Sequence, residues 1–111
     1  MALEAKGKKI YMDEYDFGRS IPFTLEGVDI LPTDKLLMRI RRNKKSPLIL
    51  EKIFDNSATE NGKFTFALSF TEKESKLLPA NDYSYSLKQI RDTVLVDTII
   101  DEEVFTVRSV I

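Results

Sequence analysis

Along most of this chain apolar and polar residues alternate with a period of two. In "KFTFALSF", residues 63–70, Phe64, Phe66, Leu68 and Phe70 fall on one side and Lys63, Thr65, Ala67 and Ser69 on the other. Successive side chains of an extended strand point to opposite faces, so the pattern predicts a half-buried antiparallel strand. "SIPFTL" repeats it with Ile21, Phe23 and Leu25. Pro22, which has no backbone donor, then points outward from an edge strand or a strand start. "KLLMRIRR" sets Leu36, Met38 and Ile40 inward and Arg39 and Arg41 outward. "PLILEKIF", residues 47–54, is apolar on both sides at its start and reads as a central strand or an ill-defined one. "YSYSLKQI" places Tyr83, Tyr85 and Leu87 on one face, "TVLVDTII" offers Val94, Val96 and Ile100, and "VFTVRSVI" offers Phe105 and Val107. Lys9 to Met12 adds a short first strand.

Seven or eight strands result, spaced near ten residues apart. Turn signals separate them at Glu26-Gly27, Asn43 to Pro47, Asp55 to Gly62, and Asp92. That spacing without a long helical period is the signature of a sandwich or barrel. The best helical segment is short: "TEKESKLL" opens on Thr71 with Glu74 three residues on, a capping-box pattern, and Pro79 stops it. The 111 residues suit a single domain, with residues 1–8 expected as a loose N-terminal arm.

"LLPANDYSYSL", residues 77–87, gives the sandwich its expected form. In Greek-key sandwiches a chain crossing between sheets carries a leucine, a tight turn and then a tyrosine whose hydroxyl bonds backbone a few residues upstream. Leu77 or Leu78 is the expected plug, Pro79-Ala80-Asn81-Asp82 the turn and Tyr83 the corner, with Tyr85 pointing into the core. The expected fold is therefore all-β: an immunoglobulin-like antiparallel β-sandwich of seven or eight strands with one short helical turn. Leu78, Pro79, Tyr83 and Tyr85 are its structural corner.

Composition narrows the chemistry. The chain has no cysteine, which removes disulfides and thiolate metal sites, and no histidine, which removes the commonest neutral-pH base and metal ligand. No spacing of Asp, Glu, Lys or Tyr points to a catalytic set, so no enzyme is expected and no catalytic, cofactor-binding or metal residue is assigned; the expected cofactor is none. No small-molecule substrate is implied. The apolar runs are too short to cross a bilayer as a helix, and "MALEAKGKK" lacks the apolar core of a secretory signal. The expectation is a protein made in the cytoplasm with no membrane partner.

The strongest charge feature is the basic run "RIRRNKK". Arg39, Arg41, Arg42, Lys44 and Lys45 form a candidate interaction patch. The same run also reads as a solvated strand face and hairpin tip, where lysine guards an edge. Nucleic acid is not the expected partner: the net charge is −1, and the segment carries no aromatic residue to stack bases. "DEYD" (Asp13, Glu14, Asp16) and "DEE" (Asp101, Glu102, Glu103) lie at predicted turns, where acids are ordinary; neither has the spacing of a calcium loop. The glycines at 7, 18, 27 and 62 are too scattered for a phosphate loop, and Gly18 in "DFGR" reads as a turn glycine.

In order, "DFGRSIPFTLEGVDI", "KLLMRIRR", "PLILEKIF", "GKFTFALSFTEKESKLLPANDYSYSLKQI" and "VLVDTIIDEEVFTV" resemble the small β-sandwich domains of phage tail and baseplate proteins. The resemblance is to the N-terminal domain of the baseplate upper protein family. Thr71, Glu74, Leu78, Pro79, Tyr83, Tyr85, Phe105 and Val107 match that family's pattern. Ala80-Asn81-Asp82 replaces its glycine turn, and Glu103 stands where a glycine precedes its last strand. The resemblance implies a structural assembly module of a phage or prophage tail. It would act through protein partners, as a homo-oligomer or a particle component, and so be virion-associated. Its contact surface would be the outward side of the strand holding Arg39 and Arg41, or the terminal strand around Arg108 and Val110. The alternative is a small ligand- or carbohydrate-binding sandwich using Tyr11 and Tyr15.

Overall fold

A computed structural model describes residues 3–6, 9–26 and 30–109. Eight strands and one helical turn follow in order: β1 (Leu3–Lys6), β2 (Lys9–Asp13), β3 (Ser20–Glu26), β4 (Lys35–Arg41), β5 (Leu48–Asp55), β6 (Lys63–Ser69), α1 (Glu72–Ser75), β7 (Asn81–Arg91) and β8 (Val94–Arg108). They form two sheets, one of six strands in the order β1-β2-β8-β7-β4-β5 and one of two, β3-β6. The protein is an all-β, immunoglobulin-like sandwich. Gly27 and Val110 lie outside the described residues.

Three expectations are corrected here. The backbone of residues 3–6 is not a loose arm, because β1 pairs antiparallel with β2 from Leu3↔Met12 to Lys6↔Lys9. Pairing is also not antiparallel throughout. β2 runs parallel to β8, Ile10↔Phe105 through Asp13↔Arg108, which places Ile10 and Met12 on the inner face beside Phe105 and Val107. β5 is not central: it ends the large sheet, and its two-sided apolar start belongs to an edge strand.

The core lies between the sheets. Leu36, Met38 and Ile40 of β4 and Tyr83, Tyr85 and Leu87 of β7 face Phe64, Phe66 and Leu68 of β6. Rings lock it: Phe23 stacks on Phe66 at 5.3 Å, and Phe105 meets Phe70 edge-on at 5.7 Å and Tyr85 at 6.5 Å. Such pairs add to the area they bury. Pro22 is exposed and pairs with Ala67. Two residues back, Thr65 turns its N–H to Asn56 Oδ1 and its C=O to Ser57 N. It therefore points away from β3, as does Ala67, so Pro22 sits where the β3–β6 ladder needs no donor. The same Asn56 and Ser57 contacts cover the outer edge of β6 at Lys63 and Thr65.

The crossover from β6 to β7 is the corner. Thr71 Oγ1 accepts from Glu74 N at 3.1 Å and Glu74 Oε1 accepts from Thr71 N at 2.9 Å, a reciprocal capping box. Lys52 of β5 reaches across to Glu74 Oε1 at 2.7 Å and to the Ser69 carbonyl at 2.8 Å. Burial pushes the Glu74 carboxyl up, but the bonds from Lys52 and Thr71 outweigh it and leave the group lowered. Leu78, fully buried, is the plug, whereas Leu77 is exposed. The Tyr83 hydroxyl donates to the Pro79 carbonyl at 2.5 Å. Burial raises the Tyr83 hydroxyl pKa despite Arg42 nearby, and burial raises that of Tyr85 further.

The inner stripe of β7 does not stop at Leu87. It continues through buried Gln89 to Arg91, and both reach Asp34, which precedes β4. Arg91 Nε donates to Asp34 Oδ1 at 2.8 Å and Nη2 to Oδ2 at 3.0 Å; Gln89 Nε2 reaches Oδ2 at 2.6 Å. Leu31 N adds a fourth bond at 2.9 Å, closing the 31–34 turn. This ionic plug ends the sandwich where the apolar residues run out.

β8 departs from simple alternation. Its register against β7 shifts between Tyr85 and Leu87, between Leu87 and Lys88, and between Gln89 and Ile90. Each shift inserts an extra residue and tightens the local twist. Val94 and Val96, expected inside with Ile100, are 58% and 47% exposed, because the period of two does not survive the bulges in β8. Asp92 and Thr93 turn the hairpin with φ of 52° and 68°. The left-handed region is costly for a β-branched threonine, but this turn needs it twice.

Candidate functional site

The outer face of β5-β4-β7-β8 is uncovered among the described residues, and its cross-strand pairs can be read row by row. Ile53 lies beside Leu37 and Leu37 beside Lys88; Asp55 lies beside Lys35, Lys35 beside Ile90 and Ile90 beside Leu95. Ile53, Leu37, Ile90 and Leu95 therefore make a diagonal apolar band across four strands. Leu37 is only 5% exposed, covered by its neighbours on the face, whereas Ile53 and Leu95 are 59% and 49% exposed. None of these four was picked out from the sequence. The one available signal was Leu37, an apolar residue on the outward side of an otherwise alternating strand.

Charged residues flank the band. Arg39 lies between Glu51 and Ser86, and Arg41 beside Ser84. Arg39 Nε donates to Glu51 Oε2 at 2.9 Å, and Lys35 meets Asp55 at 2.6 Å. The basic run is not a single patch. Arg39 and Arg41 lie on the outer face, while the strand's alternation sends Arg42 the other way, where its guanidinium stacks 5.7 Å from the Tyr83 ring centroid. Lys44, on the turn after β4, reaches across to Asp101 of β8 at 2.8 Å. That contact holds the Lys44 pKa up and the Asp101 pKa down, chiefly through the shared hydrogen bond. Lys45 is exposed at the turn, its N–H bonded to Asn43 Oδ1.

Beside the band lies a pocket of about 220 Å³, lined by Arg39, Arg41, Lys44, Ser84, Ser86 and Lys88, with Asp101 and Glu102 among the rest. The β8 bulge makes it: Tyr85 pairs with Glu103 and Leu87 with Ile100, so Asp101 and Glu102 both fall opposite Ser86. A second cleft, about 360 Å³, enters the core between the sheets past Thr24 and Glu26 and is lined by Phe23, Phe66 and Leu87 among others.

The acidic stretches are used within the fold. Asp13 pairs with Arg108 at 3.3 Å, Asp16 with Arg19 at 3.2 Å, and Glu14 Oε2 accepts from Ala80 N at 3.0 Å beside the corner. Among the described residues no cluster of three or more acidic side chains is placed to hold a metal ion. Arg108, the described part of the predicted terminal contact, also sits over Tyr11, its guanidinium 5.8 Å from the ring centroid. Tyr15 is exposed on a left-handed backbone, φ 61°. Gly18 likewise has φ 82°, as a turn glycine should. No helix among the described residues is long and apolar enough to cross a membrane.

The fold is that of an immunoglobulin-like sandwich whose outer sheet face carries an apolar diagonal between charged pairs. No family model and no curated protein matches the chain. Among solved structures it is similar to one from a study of the multimeric cell-adhesive interactions of VGSC beta subunits, at 11% identity over 98% of each chain and a TM-score of 0.39. A likeness that distant carries no argument about activity or partner.

Proposed function

We propose that this protein is a non-enzymatic assembly module, a phage or prophage tail or baseplate component, acting by contact with other proteins. The observation that carries the contact reading is the diagonal band Ile53-Leu37-Ile90-Leu95 on the outer face, rimmed by Arg39, Lys35 and their carboxylate partners. Ile53 and Leu95, the exposed ends of that band, are the apolar surface that a partner would cover. The tail assignment is supported by the residues that carry the sequence resemblance: Thr71, Glu74, Leu78, Pro79, Tyr83 and Tyr85 around the corner between β6 and β7, and Phe105 and Val107 on β8.

Two measurements test this reading. Light scattering at high protein concentration, and co-sedimentation with purified tail particles, should show association in at least one case. The double variant Ile53→Glu, Leu95→Glu should weaken that association at least about tenfold while leaving the circular dichroism spectrum unchanged. A strict monomer that sediments with no particle would overturn the proposal, as would association indifferent to both substitutions.

A further inference from the structure

We infer that the pocket beside the apolar band is a receptor for a carboxylate side chain carried by an acidic segment of a partner protein; this rests on the contact reading above. Four cations line it, Arg39, Arg41, Lys44 and Lys88, against two acids, Asp101 and Glu102. Two of those cations are already engaged, Arg39 by Glu51 and Lys44 by Asp101. Of the other two, Lys88 helps to hold the Asp101 carboxyl down electrostatically without making a salt bridge to it. Among the described residues Arg41 makes one hydrogen bond, from Nη1 to the Ser46 carbonyl at 3.2 Å, and no salt bridge. The guanidinium therefore keeps donors for a bidentate partner. Ser84 and Ser86 are half-buried, and their hydroxyls make no hydrogen bond to another described residue.

Size and sign choose the ligand. About 220 Å³ has room for a single acidic side chain. Asp101 and Glu102 at the wall confine an incoming carboxylate to the side of Arg41 and Lys88. No aromatic residue lies on the outer rows of β4 and β7, so there is no platform for nucleobases. Nor is the occupant the same face of a second copy. A twofold axis through the pocket would set Arg39, Arg41, Lys44 and Lys88 against the same four cations.

The test is a titration of the full chain, amide-labelled for NMR, with a blocked hexaglutamate peptide; hexalysine and a short single-stranded DNA serve as comparisons. Saturable shifts at Arg41, Ser84, Ser86 and Lys88 are expected with hexaglutamate alone. They should weaken at least tenfold in Arg41→Gln, Lys88→Gln and return to the wild-type curve when only Lys45→Gln, on the distal turn, is made. Shifts that are absent, that survive the double change, or that DNA produces more strongly would overturn the carboxylate assignment. If tail-particle association persists unweakened in Arg41→Gln, Lys88→Gln, the pocket has no part in the contact while the contact reading stands. If the wild-type chain associates with nothing, it is the contact reading that falls.

Discussion

Asparagine at position 34 is expected to destabilise the folded chain by about 3 kcal/mol at neutral pH, and to lower its melting temperature by roughly 10–15 °C. The change keeps the volume while removing the charge and one of the two acceptor oxygens. Asp34 accepts four bonds, two from Arg91 and one each from Gln89 and Leu31 N, with its own side chain wholly buried. An amide offers one acceptor oxygen and turns an NH₂ towards donors it cannot satisfy. Removing one partner of a buried pair costs about 3–5 kcal/mol. The lower end applies here because Arg91 is 33% exposed and can recover some hydration.

The pH dependence follows from the same contacts. The Arg91 hydrogen bonds outweigh desolvation and, with the bonds from Leu31 and Gln89, hold the Asp34 pKa at about 2 against an ordinary 3.8. The folded-state pKa is depressed, so the stabilisation is fully present above pH 4 and is lost as pH falls from about 4 towards 2. The shift corresponds to about 2 kcal/mol. Urea denaturation of wild type and Asp34→Asn should therefore differ by about 3 kcal/mol at pH 7 and by markedly less at pH 2. A difference below about 1 kcal/mol that does not change with pH would mean that the plug contributes nothing to the fold.

How far the sequence reached depended on whether apolar residues marked the inner face. On β6 the alternation was complete, and Phe64, Phe66, Leu68 and Phe70 are all buried. On β4 it was nearly so, with Leu37 the exception that later proved to belong to the outer band. On β7 the inner face continues past Leu87 in polar residues, and hydropathy cannot distinguish an inward Gln89 from a solvated one. Its partner Asp34 lies 55 residues away, a distance no local pattern spans. On β8 the bulges destroyed the period itself, so Val94 and Val96 read as core although both are exposed. The pocket was invisible for the same reason. It exists because Asp101 and Glu102 share one place in the register, which backbone geometry decides and composition does not.

The second large effect is expected at the corner: Leu78→Ala should cost about 3 kcal/mol, and Tyr83→Phe about 1. Leu78 is fully buried among the residues of both sheets, so its truncation leaves a cavity in the place where the chain crosses between them. Tyr83→Phe keeps the ring under Arg42 and removes only the hydroxyl that bonds Pro79, leaving that carbonyl to find water. The two sites are five residues apart and joined by one turn, with Glu14 holding Ala80 N from the other side. Their losses should therefore not add. If the corner is a unit, the double variant should lose less than the sum of the singles, since a plug already removed lets the turn relax and spares the orphaned carbonyl. Chemical denaturation of the four proteins decides it. Strict additivity would mean that the hydroxyl and the plug act separately, and a Tyr83→Phe variant as stable as wild type would mean that the phenol bond does not hold the crossover.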